Sequence, residues 1–101
     1  MSHFQPARLE HEGRALELLP AELAPLAVNA ASWHGPGDPS SWLSVNVFQL
    51  ARRKFPGLSN ETLLELAGKA LGISAQALRS AIEWNENYMR WHDGDESYRV
   101  L

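Results

Sequence analysis

The chain has 101 residues, a formal net charge of -3, 45% hydrophobic and 21% charged residues, and no cysteine. This composition predicts one small globular domain with a modest core and argues against a disordered segment. It excludes disulfides and thiolate metal sites, favours an intracellular, cytoplasmic setting, and does not point to a nucleic-acid binder. No apolar run approaches the roughly 20 residues of a membrane span. The opening MSHFQPARLEHEG lacks the apolar stretch of a secretory signal.

Residues 6–19 read as a hairpin or arm. Two short segments, Ala7–His11 and Arg14–Leu18, flank Glu12-Gly13, and the glycine permits the positive φ of a tight turn. Leu9, Leu16 and Leu18 would form the apolar face. Because alanine, leucine and glutamate also favour helix, a short helix is the competing reading. Pro20 suits a first helical turn, where its missing N–H costs nothing. Residues 20–31 are helical in character, and Pro25 is expected to kink or shorten that helix. HGPGDPSS at 34–41 reads as a loop, with Ser40 or Ser41 capping the next helix.

That helix is expected from about Trp42 to Lys54. Trp42, Val45 and Phe48 make one apolar stripe, and Leu43, Val47 and Leu50 another. Two apolar sides predict burial against more than one neighbour, or a surface for a partner. Arg52, Arg53 and Lys54 complement the negative end of the helix dipole, and Pro56-Gly57 ends it. Ser59 or Asn60 starts the following helix.

The stretch Leu64–Glu83 organises the rest. Leu63, Leu64, Ala67, Ala70 and Leu71 recur at helical spacing. Gly72 then supplies a left-handed helix end, and Ser74 a cap for the next helix. Leu78, Ala81, Ile82, Asn85 and Met89 form the inward stripe of that last helix, expected to end near Trp91. This spacing is that of a helix-turn-helix corner, with Gly68, Gly72, Ile73 and Leu78 at its small, turning and core positions. The same corner also serves packing alone in small helical proteins. Trp84, Tyr88 and Trp91 lie at i, i+4 and i+7, either completing the core or anchoring a partner. Residues 92–101 read as an acidic tail, a short strand or a frayed end. The fold expected is mainly α: an N-terminal hairpin, then about four helices, in a single domain.

Little in the chain suggests catalysis. His3, His11, His34 and His92 hold no i, i+4 pair for a metal. Asp93, Asp95 and Glu96 are only a fragment of a calcium loop. His34, Asp38, Ser40 and Ser41 share one loop, and a triad needs a rigid scaffold and an oxyanion hole besides. The chain is read as a non-enzyme without metal or cofactor.

If the corner reads DNA, the start of its second helix enters the major groove. Ser74, Gln76 and Arg79 would then face bases, glutamine suiting adenine and arginine guanine. Lys69 and Arg79 balance Glu65 and Glu83 across Leu64–Glu83. Phosphate neutralisation would therefore fall to Arg52, Arg53 and Lys54 on another helix.

The order of features resembles the small tail assembly chaperones of long-tailed bacteriophages, over roughly residues 7–90. Leu9–Leu18, followed by Leu19-Pro20-Ala21-Glu22-Leu23, is similar to the family's opening hairpin and Pro-Leu-rich helix start. The run from Leu50 to Leu64, LARRKFPGLSNETLL, is similar to its basic–aromatic–Pro helix end and acidic restart. The chain departs from the family pattern in the 34–41 loop and in the aromatic-rich last helix. The resemblance implies a protein that binds the long helical tape-measure protein and keeps it soluble, in the bacterial host cytoplasm. An acidic module with spare apolar helix surface suits that role.

Three functions are therefore expected in order: a protein-binding tail assembly chaperone, a helix-turn-helix transcriptional regulator, and a small phage-type inhibitor or adaptor of a host protein. The first and third need a partner surface, for which Trp42, Phe48, Trp84, Tyr88 and Trp91 are the candidates. The partner would be another protein, a long helical one foremost, and self-association into a homodimer is compatible with the same surface.

Overall fold

The computed structural model describes residues 6–32, 39–93 and 101, without the side chains of residue 39 and of residues 90–93. Strands β1 (Ala7–His11) and β2 (Arg14–Leu18) form an antiparallel hairpin, followed by helices α1 (Pro20–Ala31), α2 (Pro39–Lys54), α3 (Asn60–Leu71) and α4 (Ala75–Asp93).

The hairpin register pairs Ala7 with Leu18 and Leu9 with Leu16. With side chains alternating across the pleat, these four share one face, and Ala7, Leu16 and Leu18 are buried while Leu9 packs partly against them. Both turn residues have positive φ, Glu12 at 51° and Gly13 at 77°. This is the combination that lets a two-residue loop follow the twist of its strands.

Leu19, in extended conformation, precedes α1 and has no side-chain oxygen to cap it. Glu22 supplies the missing partner: its Oε2 accepts the Leu19 N–H at 2.8 Å. The helix runs without interruption through Pro25 to Ala31. The expected shortening does not occur, because one proline removes a single ladder bond and leaves the rest of the helix intact.

Helix α2 begins at Pro39, three residues earlier than expected. Ser40 and Ser41 therefore lie inside its first turn, where the Ser40 carbonyl accepts from Ser44 Oγ at 3.1 Å. Val45, Val47, Phe48 and Ala51 are fully buried, and Trp42, Leu43 and Leu50 are half-buried against the same cluster. The two stripes have different neighbours to meet, since α2 packs against α1, α3 and α4.

Helix α3 starts at the Ser59 cap, whose Oγ accepts the Thr62 N–H at 3.2 Å. Leu63, Leu64, Leu66, Ala67 and Ala70 are buried on several sides of it. It touches both strands, α2 and α4, while α1 packs on α2. Lys69 reaches back from it to donate to the Arg8 carbonyl at 3.2 Å, tying the hairpin down.

The α3–α4 corner closes as a Schellman turn. Gly72 adopts φ 72°, its N–H donates to Lys69 at 3.3 Å, and the Ile73 N–H donates to Gly68 at 2.9 Å. The returning chain lies so close that a Cβ on Gly68 would stand 2.7 Å from the Ile73 carbonyl oxygen. Ser74 then caps α4 by accepting the Ala77 N–H at 3.0 Å. Leu78, Ile82, Asn85 and Met89 are the buried face of α4, as their spacing predicts.

Candidate functional site on the last helix

The expected partner-binding residues separate into two groups. Phe48 is 0% exposed. It lies under the Arg52 guanidinium, 4.8 Å from the ring centroid, and is a core residue, so its assignment to a partner surface is corrected. Trp42 is half-buried and packs against the core cluster. Helix α2, expected either to be buried against more than one neighbour or to carry a partner surface, packs against three helices.

Trp84 behaves differently. Its residue is 48% exposed, and its ring stacks on Tyr88 with centroids 5.3 Å apart and planes 22° from parallel. The i, i+4 spacing places both rings on one helix flank. Because Leu78, Ile82, Asn85 and Met89 form the buried face, the Trp84–Tyr88 pair stands beside the core and not within it. The side chain of Trp91, the third member of the expected stripe, lies outside the described residues, as do residues 33–38 with His34 and Asp38, and the tail at 94–100. At the far end Leu101 packs partly against the core, and its N–H donates to Glu86 Oε1 at 3.0 Å.

The candidate nucleic-acid residues lie near one another but are mostly engaged by the protein. The N-terminus of α3 lies between them: Asn60 Oδ1 accepts from Arg52 at 3.1 Å, while Glu61 pairs with Arg79. Arg79 also faces Glu83, one turn along α4, at 3.7 Å. Lys54 donates to Glu22 at 2.8 Å and lies 5.7 Å from the Phe55 ring. Ser74 caps its own helix. Arg53, Lys54, Ser74 and Gln76 are exposed, while Arg52 and Arg79 are half-buried. Each cation held by a carboxylate has less charge to offer a phosphate.

The chain matches no family model, no curated protein and no solved structure. Among the described residues there is also no cluster of three or more His, Asp or Glu that could hold a metal ion, and no helix long and apolar enough to cross a membrane.

Sequence reasoning missed the carboxylate partners. The Arg79–Glu83 spacing of four was legible, but the pairing of Arg79 with Glu61 and of Lys54 with Glu22 joins residues 18 and 32 positions apart. The basic–aromatic–Pro pattern at the end of α2 acquires a packing role. Phe55 is buried, with Arg14 of β2 5.8 Å from its ring centroid and Lys54 on the same ring. Lys54-Phe55 thus fastens α2 to the hairpin and to α1.

Glu22 is held below the ordinary carboxylate range. The Lys54 hydrogen bond is the main cause; partial burial opposes it, and the Leu19 N–H and the Lys54 charge add to the lowering. This cluster serves the fold and leaves the Trp84–Tyr88 flank as the best candidate for recognition.

Proposed function

We propose that the protein is a non-enzymatic protein-binding module, and that its partner is the helical tape-measure protein of a long-tailed phage, which it shields as a tail assembly chaperone. The observation that carries the binding reading is Trp84, a large ring half in solvent and braced by Tyr88. Tryptophan and tyrosine supply rigid contact area at low entropic cost and dominate binding hot spots. The family resemblance of residues 7–90 supports the choice of partner. Co-expression with a tape-measure fragment tests it: a soluble, co-purifying complex supports the reading, and a fragment that stays insoluble with or without this chain removes it.

The helix-turn-helix corner favours a second reading, a DNA-binding transcriptional regulator, in which Gln76 at the exposed start of α4 enters the major groove. It is weakened by the pairing of Arg79 with Glu61 and Glu83. Titration of duplex DNA over a salt series decides it, with Arg79→Ala as the control. Absence of binding even at low salt removes this reading. The third reading, an inhibitor or adaptor of a host protein, uses the same Trp84 surface with a different partner. It predicts one defined host protein in a pull-down, lost in Trp84→Ala.

A further inference from the structure

The exposed stripe of α4 contains Gln76, Ser80, Glu83, Trp84 and Asn87. Between Ala75 and Met89 the sequence has one cation, Arg79, whose side chain is 29% exposed. Two far more exposed carboxylates share it, Glu61 at 76% and Glu83 at 51%. Over Ala75–Met89 the balance is negative, with the carboxylates of Glu83 and Glu86 against the one guanidinium of Arg79. Tyr88 stacks on Trp84 in a near-parallel arrangement, so it covers one face of the indole while the residue stays half exposed.

An indole face carries negative charge density and attracts cations, most strongly when a carboxylate stands beside it. We infer that Trp84 and Glu83 form a receptor for a lysine or arginine carried by a helical partner segment. The cation lies over the indole face that Tyr88 leaves open, and the Glu83 carboxylate completes its pairing. The occupant is thus a basic amphipathic helix: its apolar side lies along Trp84 and its charge meets the acidic edge of α4. A neutral or acidic helix of equal apolarity gains the first contact and not the second.

This inference rests on the protein-binding part of the proposed function and names the chemistry of the partner. The test uses the full chain and three labelled amphipathic peptides with identical leucine positions, bearing lysine, glutamine or glutamate on the polar side. Fluorescence anisotropy is expected to rank lysine above glutamine above glutamate, with the lysine advantage shrinking as salt rises. Glu83→Gln should remove most of that advantage, Trp84→Ala should weaken the lysine peptide about tenfold, and Trp84→Phe should retain most of its binding. Far-UV circular dichroism verifies that each variant stays folded. Equal affinity for the three peptides, no binding of the lysine peptide, or a lysine advantage intact in Glu83→Gln overturns the receptor. A soluble tape-measure complex indifferent to Trp84→Ala also removes the receptor, while leaving the chaperone reading. Lysine selectivity without any tape-measure complex removes the chaperone reading and leaves the receptor.

Discussion

Lys54, the last residue of α2, donates to the carboxylate of Glu22 in the first turn of α1 at 2.8 Å. The same carboxylate oxygen accepts the Leu19 N–H at 2.8 Å, so one side chain caps a helix and joins two helices.

Acidification should therefore weaken the fold through Glu22. Its folded pKa is lowered from the ordinary 4.5. A lowered carboxylate contributes stability that is fully present above the unfolded pKa and is lost as pH falls through the folded one. Thermal melts followed from neutral pH down through the carboxylate range should show a falling Tm. Lys54→Ala should flatten part of that fall and cost about 1 kcal/mol at neutral pH, since both side chains are near one-third exposed and screened by solvent.

Two aromatic residues from the same expected surface should respond in opposite ways. Phe48→Ala opens a cavity in the core and should cost about 3–5 kcal/mol. Trp84→Ala should change stability by less than about 1 kcal/mol, because its residue is half in solvent, yet should weaken partner binding about tenfold. Denaturant titration and co-purification separate the two effects; a large destabilisation by Trp84→Ala would mark it as core.

Much of this architecture was legible because it is local. The leucine spacing of α3, Gly72 after it and Ser74 before α4 together specify the corner, and Glu12-Gly13 specifies the hairpin turn. The start of α2 at Pro39 precedes the sequence expectation, since proline and serine also populate loops and their placement in a first turn depends on what the helix packs on. Phe48, expected at a surface, is buried for a related reason. Periodicity shows that a helix has two apolar sides, and only the positions of α1, α3 and α4 show that both are covered. Trp84 was identified by its spacing from Tyr88, but its exposure follows from the neighbouring face of α4 being the one that docks.

Gly68→Ala should be costly despite the high helix propensity of alanine. The added Cβ meets the Ile73 carbonyl oxygen at 2.7 Å, a backbone atom that cannot swing aside. A loss of about 1–3 kcal/mol is expected in denaturant melts. An unchanged or raised midpoint would show that the corner can open.

Glu12→Asn should stabilise the chain. Glu12 holds φ 51°, a left-handed conformation that strains a long side chain and that asparagine adopts readily. The gain should be about 0.5–1 kcal/mol, read as a higher Tm.

Asn85→Leu should also stabilise, or at worst be neutral. The Asn85 residue is 1% exposed, and its Nδ2 is the buried side-chain polar atom without a hydrogen-bond partner among the described residues. Leucine has the same branched outline and leaves no donor desolvated, a change worth about 1 kcal/mol. Calorimetry that finds a large loss instead would assign the amide a bond formed only with a bound partner.

The reach of Lys69 back to the Arg8 carbonyl joins positions 61 residues apart and has a consequence during synthesis. An isolated two-stranded hairpin is marginal in water. Leu16 and Leu18 have no lasting cover until α3 has left the ribosome, so nascent chains that stop short of it expose the greasy side of the hairpin. Such fragments should stick to chaperones or to one another, and structure should arrive late and nearly all at once.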